Sequence, residues 1–322
     1  MKSYISSLIA LSLWAIGASA SAQSYPNKII KFIVPYAVGG STNVIARIIE
    51  PGLSANLGQS VIIENKPGAG GMTGTVEVLR SAPDGYTIGL SSLSTVATIP
   101  AINPAAPYSP SDITPIIDIA ATATLIAVNP KFPARTYKEF VDELKRNPTK
   151  HSFGSSGTGG ISHLQMERFK SLADVSIIHI PYRGAGPALT DTVGGQIGIV
   201  MDALPSILPF IKSGQLHAIV VASPTRVAAL PDTPTFTEVG LPQMNRRSNF
   251  GIIGPKGMPV DIVNKINAAV RKTLEDPMVR QQLENAGASP VGGTPAEFAA
   301  EISEDFALFK KVVIERKLTI EP

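Results

Sequence analysis

The sequence contains no cysteine. That excludes disulfides, thiol chemistry, thiolate metal sites and a lipidated amino-terminal cysteine. It has a single tryptophan, Trp14, and only four histidines, His151, His163, His179 and His217, none at metal-ligand spacing. The net charge is +3 and no block of five like charges occurs, so nucleic acid is not an expected partner. Catalytic signatures are missing too. There is no Gly-x-Ser-x-Gly and no Walker lysine, and Gly68-x-Gly70 fails as a dinucleotide fingerprint because the third glycine, Gly74, falls one place late. Neither a cofactor nor a metal is expected.

What is present begins with an export signal. Lys2 precedes an apolar run from Ile5 to Ile16, followed by Gly17-Ala18-Ser19-Ala20-Ser21-Ala22. A basic start, a short apolar stretch and small residues predict a cleaved secretory leader covering residues 1–22, with cleavage after Ala22 and a periplasmic destination. The run is too short to act as a membrane anchor, and no later stretch is long and apolar enough to span a bilayer. Loss of Lys2 with the leader takes +3 to +2. The remaining chain is of ordinary globular composition, with 44% hydrophobic and 16% charged residues overall in 322 residues, enough for two α/β lobes.

The first lobe is organised around one turn. Ile29-Ile30-Lys31-Phe32-Ile33-Val34 reads as a buried strand, and Val44, Ile45, Ile48, Ile49 and Leu53 recur at helical spacing. Between them lies Pro35-Tyr36-Ala37-Val38-Gly39-Gly40-Ser41-Thr42-Asn43. Glycines there let a ligand approach the backbone, and a helix start offers N–H groups and partial positive charge to an anion. A tight turn that binds nothing would look the same, but the chain repeats the device. Val61-Ile62-Ile63-Glu64 leads into a loop holding Gly68, Gly70 and Gly71, and Tyr86-Thr87-Ile88-Gly89-Leu90 leads into Ser91-Ser92-Leu93-Ser94-Thr95.

Residues 101–115 read as a loop, and Leu125-Ile126-Ala127-Val128 as a crossover strand. A second series follows: a helix over about 136–146, the loop Ser155-Ser156-Gly157-Thr158-Gly159-Gly160, a helix through Leu164 and Phe169, then Tyr182-Arg183-Gly184, and Asp202 at a strand end. Helices at about 260–274, 277–286 and 295–316 return to the first lobe. Alternating strands and helices predict an α/β fold of mainly parallel sheets flanked by helices. The expected division is 23–123 for the first lobe, 124–225 for the second and 226–322 for the return, with hinges at 123–125 and 223–226.

Several polar residues could serve a ligand, each with a plainer alternative. His163, in a first helical turn, could contact ligand or cap the helix. Arg183 could pair with a carboxylate or bond loop carbonyls at the surface. Asp202 could accept from a ligand or cap a helix, and Tyr36 and Tyr182 could wall a pocket or fill a core. With the loop residues Val38, Gly39, Gly40, Ser41, Asn43, Gly70, Ser92, Ser155, Ser156, Thr158, Gly159 and Gly184 they make the candidate ligand-binding set. His179 and His217 lie in apolar strand runs and read as structural.

Taken together, Val34-Pro35-Tyr36 with Gly39-Gly40 and Ala46-Arg47, Glu64-Asn65-Lys66-Pro67-Gly68-Ala69-Gly70-Gly71, Ala82-Pro83-Asp84-Gly85-Tyr86, the run from Gly157 to His163, Pro181-Tyr182-Arg183-Gly184, Gly254-Pro255-Lys256-Gly257 and Val291-Gly292-Gly293-Thr294-Pro295 form a specific pattern. Over essentially the whole chain after the leader, the sequence resembles substrate-binding proteins of tripartite tricarboxylate transporters, the Bordetella uptake gene family. The resemblance implies a two-lobed periplasmic binding protein fold of type II with two crossovers, hinged closure and no enzymatic activity. It implies a small carboxylate ligand held by backbone N–H groups, Ser/Thr hydroxyls and waters, and delivery to membrane permease subunits by a monomer. Two positions depart from the family pattern: Asn43 stands where aspartate is usual, and Phe250 where tryptophan is common. A ligand-presenting sensor subunit is the alternative reading. An exported enzyme on the same fold would need a base and a nucleophile or metal that the sequence does not offer.

Overall fold

The structure, a computed structural model, describes residues 25–316. The expected leader and its cleavage point lie outside them. Among the described residues, ten strands form one continuous, mixed sheet. The first half opens with β1 (Ile30–Val34), α1 (Ser41–Leu57), β2 (Val61–Asn65), α2 (Met72–Leu79), β3 (Thr87–Ser92) and the short α3 (Ile99–Ile102). β1 pairs in parallel with β2 on one side and β3 on the other. Ile30, Phe32, Ile33 and Val34 are fully buried in β1, as suits a parallel strand covered on both faces between β2 and β3.

The next strand joins the two halves. β4 (Ile113–Val128) is 16 residues long, and only its last residues were legible as a strand. Over residues 113–123 it runs antiparallel to β9 (Arg247–Pro255), ending with Ala123 opposite Arg247. From Thr124, opposite Ala203, it runs antiparallel to β7 (Ile199–Ala203) and β8 (His217–Val221). Pro115 and the run Ala120-Ala121-Thr122-Ala123-Thr124 hide the strand in sequence. Proline withholds a ladder donor, and the register duly shifts between Pro115 and Ile117.

The second half contains α4 (Tyr137–Arg146), β5 (Ser152–Ser155), α5 (Ile161–Ala173), β6 (Ile178–Pro181), α6 (Ala185–Gly194) and α7 (Leu204–Lys212) besides β7 and β8. β5 pairs in parallel with β6 and β7. Each half is thus a parallel trio completed by antiparallel strands on β4. The chain closes with β9, α8 (Val260–Glu275), α9 (Pro277–Asn285), β10 (Ala288–Gly292) on β4, and α10 (Pro295–Arg316).

Apolar clusters cover both faces of each half. One joins β1, α1 and α8 through Phe32, Ile49 and Val270, and another joins α10 to the other face through Phe298 and Ile302. In the second half, Phe140, Phe153 and Phe169 pack on one face and Leu189, Leu204 and Ile207 on the other. Phe236 and Met244 belong to the Phe153 cluster. The apolar residues of 236–244 thus have partners in the second half, and β9 pairs with residues 113–123 of β4.

Candidate ligand-binding cleft

The two halves meet along loops that follow the parallel strands, where ligands sit in open α/β sheets. The approach is glycine against backbone. A Cβ on Gly186 would stand 2.0 Å from the Val38 carbonyl oxygen, and one on Gly157 would stand 2.6 Å from the Gly70 Cα. The Ala37 N–H donates to the Arg183 carbonyl at 3.1 Å. Thr98 donates to the Gly159 carbonyl at 2.9 Å.

Between these contacts lies a cavity lined by Tyr36, Gly40, Ser41, Thr42, Ser92, Ser94, Ser156, Ile161, Ala185, Asp202, Ala203, Ser248 and Phe250. Four helices begin at its wall: α1 at Gly40, α5 at Gly160, α6 at Gly184 and α7 at Ala203. None has a capping side chain at its own N-cap and none has an acid in its first turn. Two are served from across the cleft. The Ser41 hydroxyl accepts from the Ser206 N–H in α7 at 3.1 Å, and the Ser94 hydroxyl accepts from the Ile161 N–H in α5 at 3.0 Å. Helix starts of this kind attract anions through their N–H groups and dipoles.

Asp202 is the one ionisable carboxyl in the wall. Its Oδ1 accepts from the Ser162 hydroxyl at 3.1 Å and its Oδ2 from Ser206 at 2.6 Å, while Ser41 from the other half faces Oδ2 at 3.5 Å. Burial pushes its pKa up to about 6, against the pull of these hydroxyls. Tyr36 shares a hydrogen bond of 3.1 Å with Ser92 and is pushed up to about 12, chiefly by burial.

Of the residues the sequence singles out, Tyr36, Gly40, Ser41, Ser92, Ser156 and Asp202 come together in this cavity. Others form the seam rather than the wall. Gly70, Thr158 and Gly159 make the cross-cleft backbone contacts, and Gly184 packs against Ala37 and Tyr36. Val38 and Gly39 line a separate surface groove with Gly186, and Val38 is 59% exposed.

The remainder lie outside the cavity wall, for physical reasons. Asn43 is buried, donating to Asn65 at 3.3 Å and accepting from Arg47 at 3.3 Å, so the position that departs from the family pattern serves the α1 packing. Arg183 contributes its carbonyl, and its side chain is exposed. The Tyr182 hydroxyl donates to Asp191 at 2.7 Å. Ser155 is buried beneath its loop, 2.7 Å from His179 Nε2. His163 accepts from the Gly159 N–H at 3.1 Å and stacks on His179 at 4.0 Å, which places it as a support for the 155–160 loop. Burial pushes both histidines down, His179 to about 3.

Sequence reasoning missed Thr42, Ser94, Ile161, Ala185, Ala203, Ser248 and Phe250 as wall residues. Ile161, Ala185 and Ala203 had a usable signal, since each stands at a helix start after a strand and loop. Ser248 had none. It arrives through the pairing of β9 with β4, opposite Thr122.

Comparisons with known proteins agree with this architecture. Residues 45–318 match the family described as the tripartite tricarboxylate transporter family receptor. The chain is 33% identical to protein BugT of Bordetella pertussis over 302 residues, 93% of each. It is similar to a solved structure described as a periplasmic transporter, at 46% identity and a TM-score of 0.91, covering 92% of this chain and 100% of that one. It is also similar to MatC of Rhodopseudomonas palustris, solved with bound malate, at 31% identity and a TM-score of 0.86, covering 90% of this chain and 100% of that one. With a family match over most of its length and relatives above 30% identity across nine-tenths of it, the chain belongs to the tripartite tricarboxylate transporter receptor family.

Proposed function

We propose that the protein binds a small carboxylate between its two halves and passes it to the permease subunits of a tripartite tricarboxylate transporter. The observation that carries this reading is the convergence of four helix starts, without capping acids, on one hydroxyl-lined cavity. The likeness to a malate-bound relative supports the ligand class, and family membership supports the permease. The predicted leader supports a periplasmic site of action, and no helix among the described residues is long and apolar enough to cross a membrane. In this reading the protein is a receptor and not an enzyme.

Each half supplies part of the wall: Tyr36, Ser41, Ser92, Ser94 and Phe250 from one, Ser156, Ile161, Ala185 and Asp202 from the other. A ligand touching both favours the closed arrangement by the difference in its affinity for the two states. The swivel we propose is the point where β4 changes partners, between Ala123 and Thr124, together with the entry into β9 near Arg247. A thermal-shift panel of mono-, di- and tricarboxylates tests the ligand class. A true ligand at about 100 times its Kd stabilises by about 2.7 kcal/mol. Small-angle scattering on that ligand should show a smaller radius of gyration at saturation. A panel in which amines or sugars shift the melting and carboxylates do not would overturn the reading.

A further inference from the structure

The wall of an anion site is an unusual place for an acid. Asp202 faces the cavity, yet no Lys, Arg or His is among the lining residues. The groups around the carboxyl come from several elements. Ser41 faces it from α1, Ser162 from α5 and Ser206 from α7, Leu125 is its register partner on β4, and Tyr36 is the ionisable neighbour in the wall. All three hydroxyls can donate to it, and none carries charge to offset a second anion. A carboxylate brought into this cavity would therefore stand near Asp202, whose own carboxyl is buried. Two like charges in such a space do not both stay ionised.

We propose that Asp202 makes ligand capture proton-linked: one proton is taken from solvent as a carboxylate ligand enters, and it is held between Asp202 and the ligand. The inference rests on the carboxylate reading above. The exchange balances simply, since ligand anion, free protein with ionised Asp202 and one proton give a complex with one carboxyl group protonated. Its placement suits the purpose. Asp202 ends β7 immediately before α7 and is touched by hydroxyls of both halves, so the shared proton sits where closure brings the walls together. Burial already holds the free carboxyl at about 6, so little further displacement is needed for it to bind a proton at neutral pH. Tyr36, at about 12, stays neutral throughout and acts only as a donor or acceptor.

The consequence is a filter on ligands. A carboxylate with no further donor must recruit the proton, and its affinity falls as pH rises. The test is isothermal titration with succinate, glutarate and adipate, none of which carries a further donor, at pH values from about 6.5 to 8.5, above the ordinary carboxyl range near 4. Each pH is run in two buffers of different ionisation enthalpy, which counts protons directly. The expected result is close to one proton taken up per ligand and an affinity that falls nearly tenfold between pH 6.5 and 7.5. Asp202→Asn should remove both the proton uptake and the pH slope. Uptake near zero in the unaltered protein, or an unchanged slope in Asp202→Asn, would overturn the proposal while leaving carboxylate binding intact. Binding of none of the three acids, nor of any carboxylate in the thermal-shift panel, would overturn the carboxylate reading and this inference with it.

Discussion

Helices begin in two ways in this molecule. Away from the cleft, α4 starts with Thr136 accepting from the Glu139 N–H at 3.2 Å while Glu139 reaches back, and α9 starts with Asp276 accepting from Met278 at 2.8 Å. α10 has the same reciprocal arrangement between Thr294 and Glu297, and α8 carries Asp261 in its first turn. At the cleft, α1, α5, α6 and α7 start at glycine or alanine with no acid in the first turn. Asp202, just before α7, is the one acid beside them, and α2, next to the seam residue Gly70, also starts uncapped at Gly71. A capped helix start is stabilised from within by about 1 kcal/mol. The cleft helices give that up and leave their starts to be satisfied from across the gap or by a ligand. The difference teaches that local stability has been withheld where an anion is to be held.

Three substitutions sharpen or break this contrast. The largest effect is expected from Gly186→Ala in the first turn of α6. Its methyl group would meet the Val38 carbonyl across the seam, so closure is blocked. Affinity for carboxylate should fall at least about a hundredfold, near 2.7 kcal/mol. The open protein should be no less stable, because alanine is favoured over glycine in a helix by about 0.5–1 kcal/mol. Calorimetry and thermal melting on one sample separate the two effects. Unchanged affinity would mean that the seam does not form in the complex.

The second is Gly40→Asp, which gives a cleft helix the cap that the distant helices have. Gly40 has φ −84° and its Cβ would lie 3.6 Å from Ala185, an ordinary contact, so the backbone accepts the change. The new carboxylate takes the α1 N–H groups for itself. Ligand affinity should fall at least about tenfold, near 1.4 kcal/mol, with melting unchanged or slightly raised. The smallest effect on binding belongs to Thr136→Ala, which strips a distant helix of its cap. Stability should drop by about 1 kcal/mol, read by denaturant unfolding, with ligand affinity held within about twofold. A loss of affinity there would show that helix capping matters to binding in general and not by location.

Much of this was legible in the chain. Strand, glycine turn and helix could be read at Val34-Pro35-Tyr36 and Gly39-Gly40-Ser41 because buried β-branched residues and helical spacing leave strong periodic marks. The closing helices were read nearly to the residue, since α9 and α10 open on Pro277 and Pro295. What was not legible depends on contacts between distant segments. β4 has alanine, threonine or proline at half of its 16 positions, which breaks up its isoleucines, and it becomes one strand because β9, β10, β7 and β8 pair with it. Arg183 was the attractive cation in a glycine loop. Sequence cannot reveal that its carbonyl faces Ala37 while its side chain faces solvent. Asn43 belongs to the candidate ligand-binding set by its place in the glycine turn. Nothing local shows that Asn65 and Arg47 take up its amide.

The partner change along β4 also sets an order in time. The second half is built from one unbroken excursion of the chain, from Thr124 to the start of β9, so its sheet can be completed as soon as β8 emerges. The first half cannot do this. β3 and residues 113–123 of β4 wait for β9, and residues 118–122 wait for β10 as well, both from the last quarter of the chain. Long-range pairing of that kind is slow, because the intervening chain must be closed before any contact rewards it. In a protein delivered amino terminus first, the half containing Asp202 would therefore assemble first and serve as the surface on which the other half finishes. Pulse-labelled hydrogen exchange during refolding should show amides of β5 and β7 protected before those of β1 and β3.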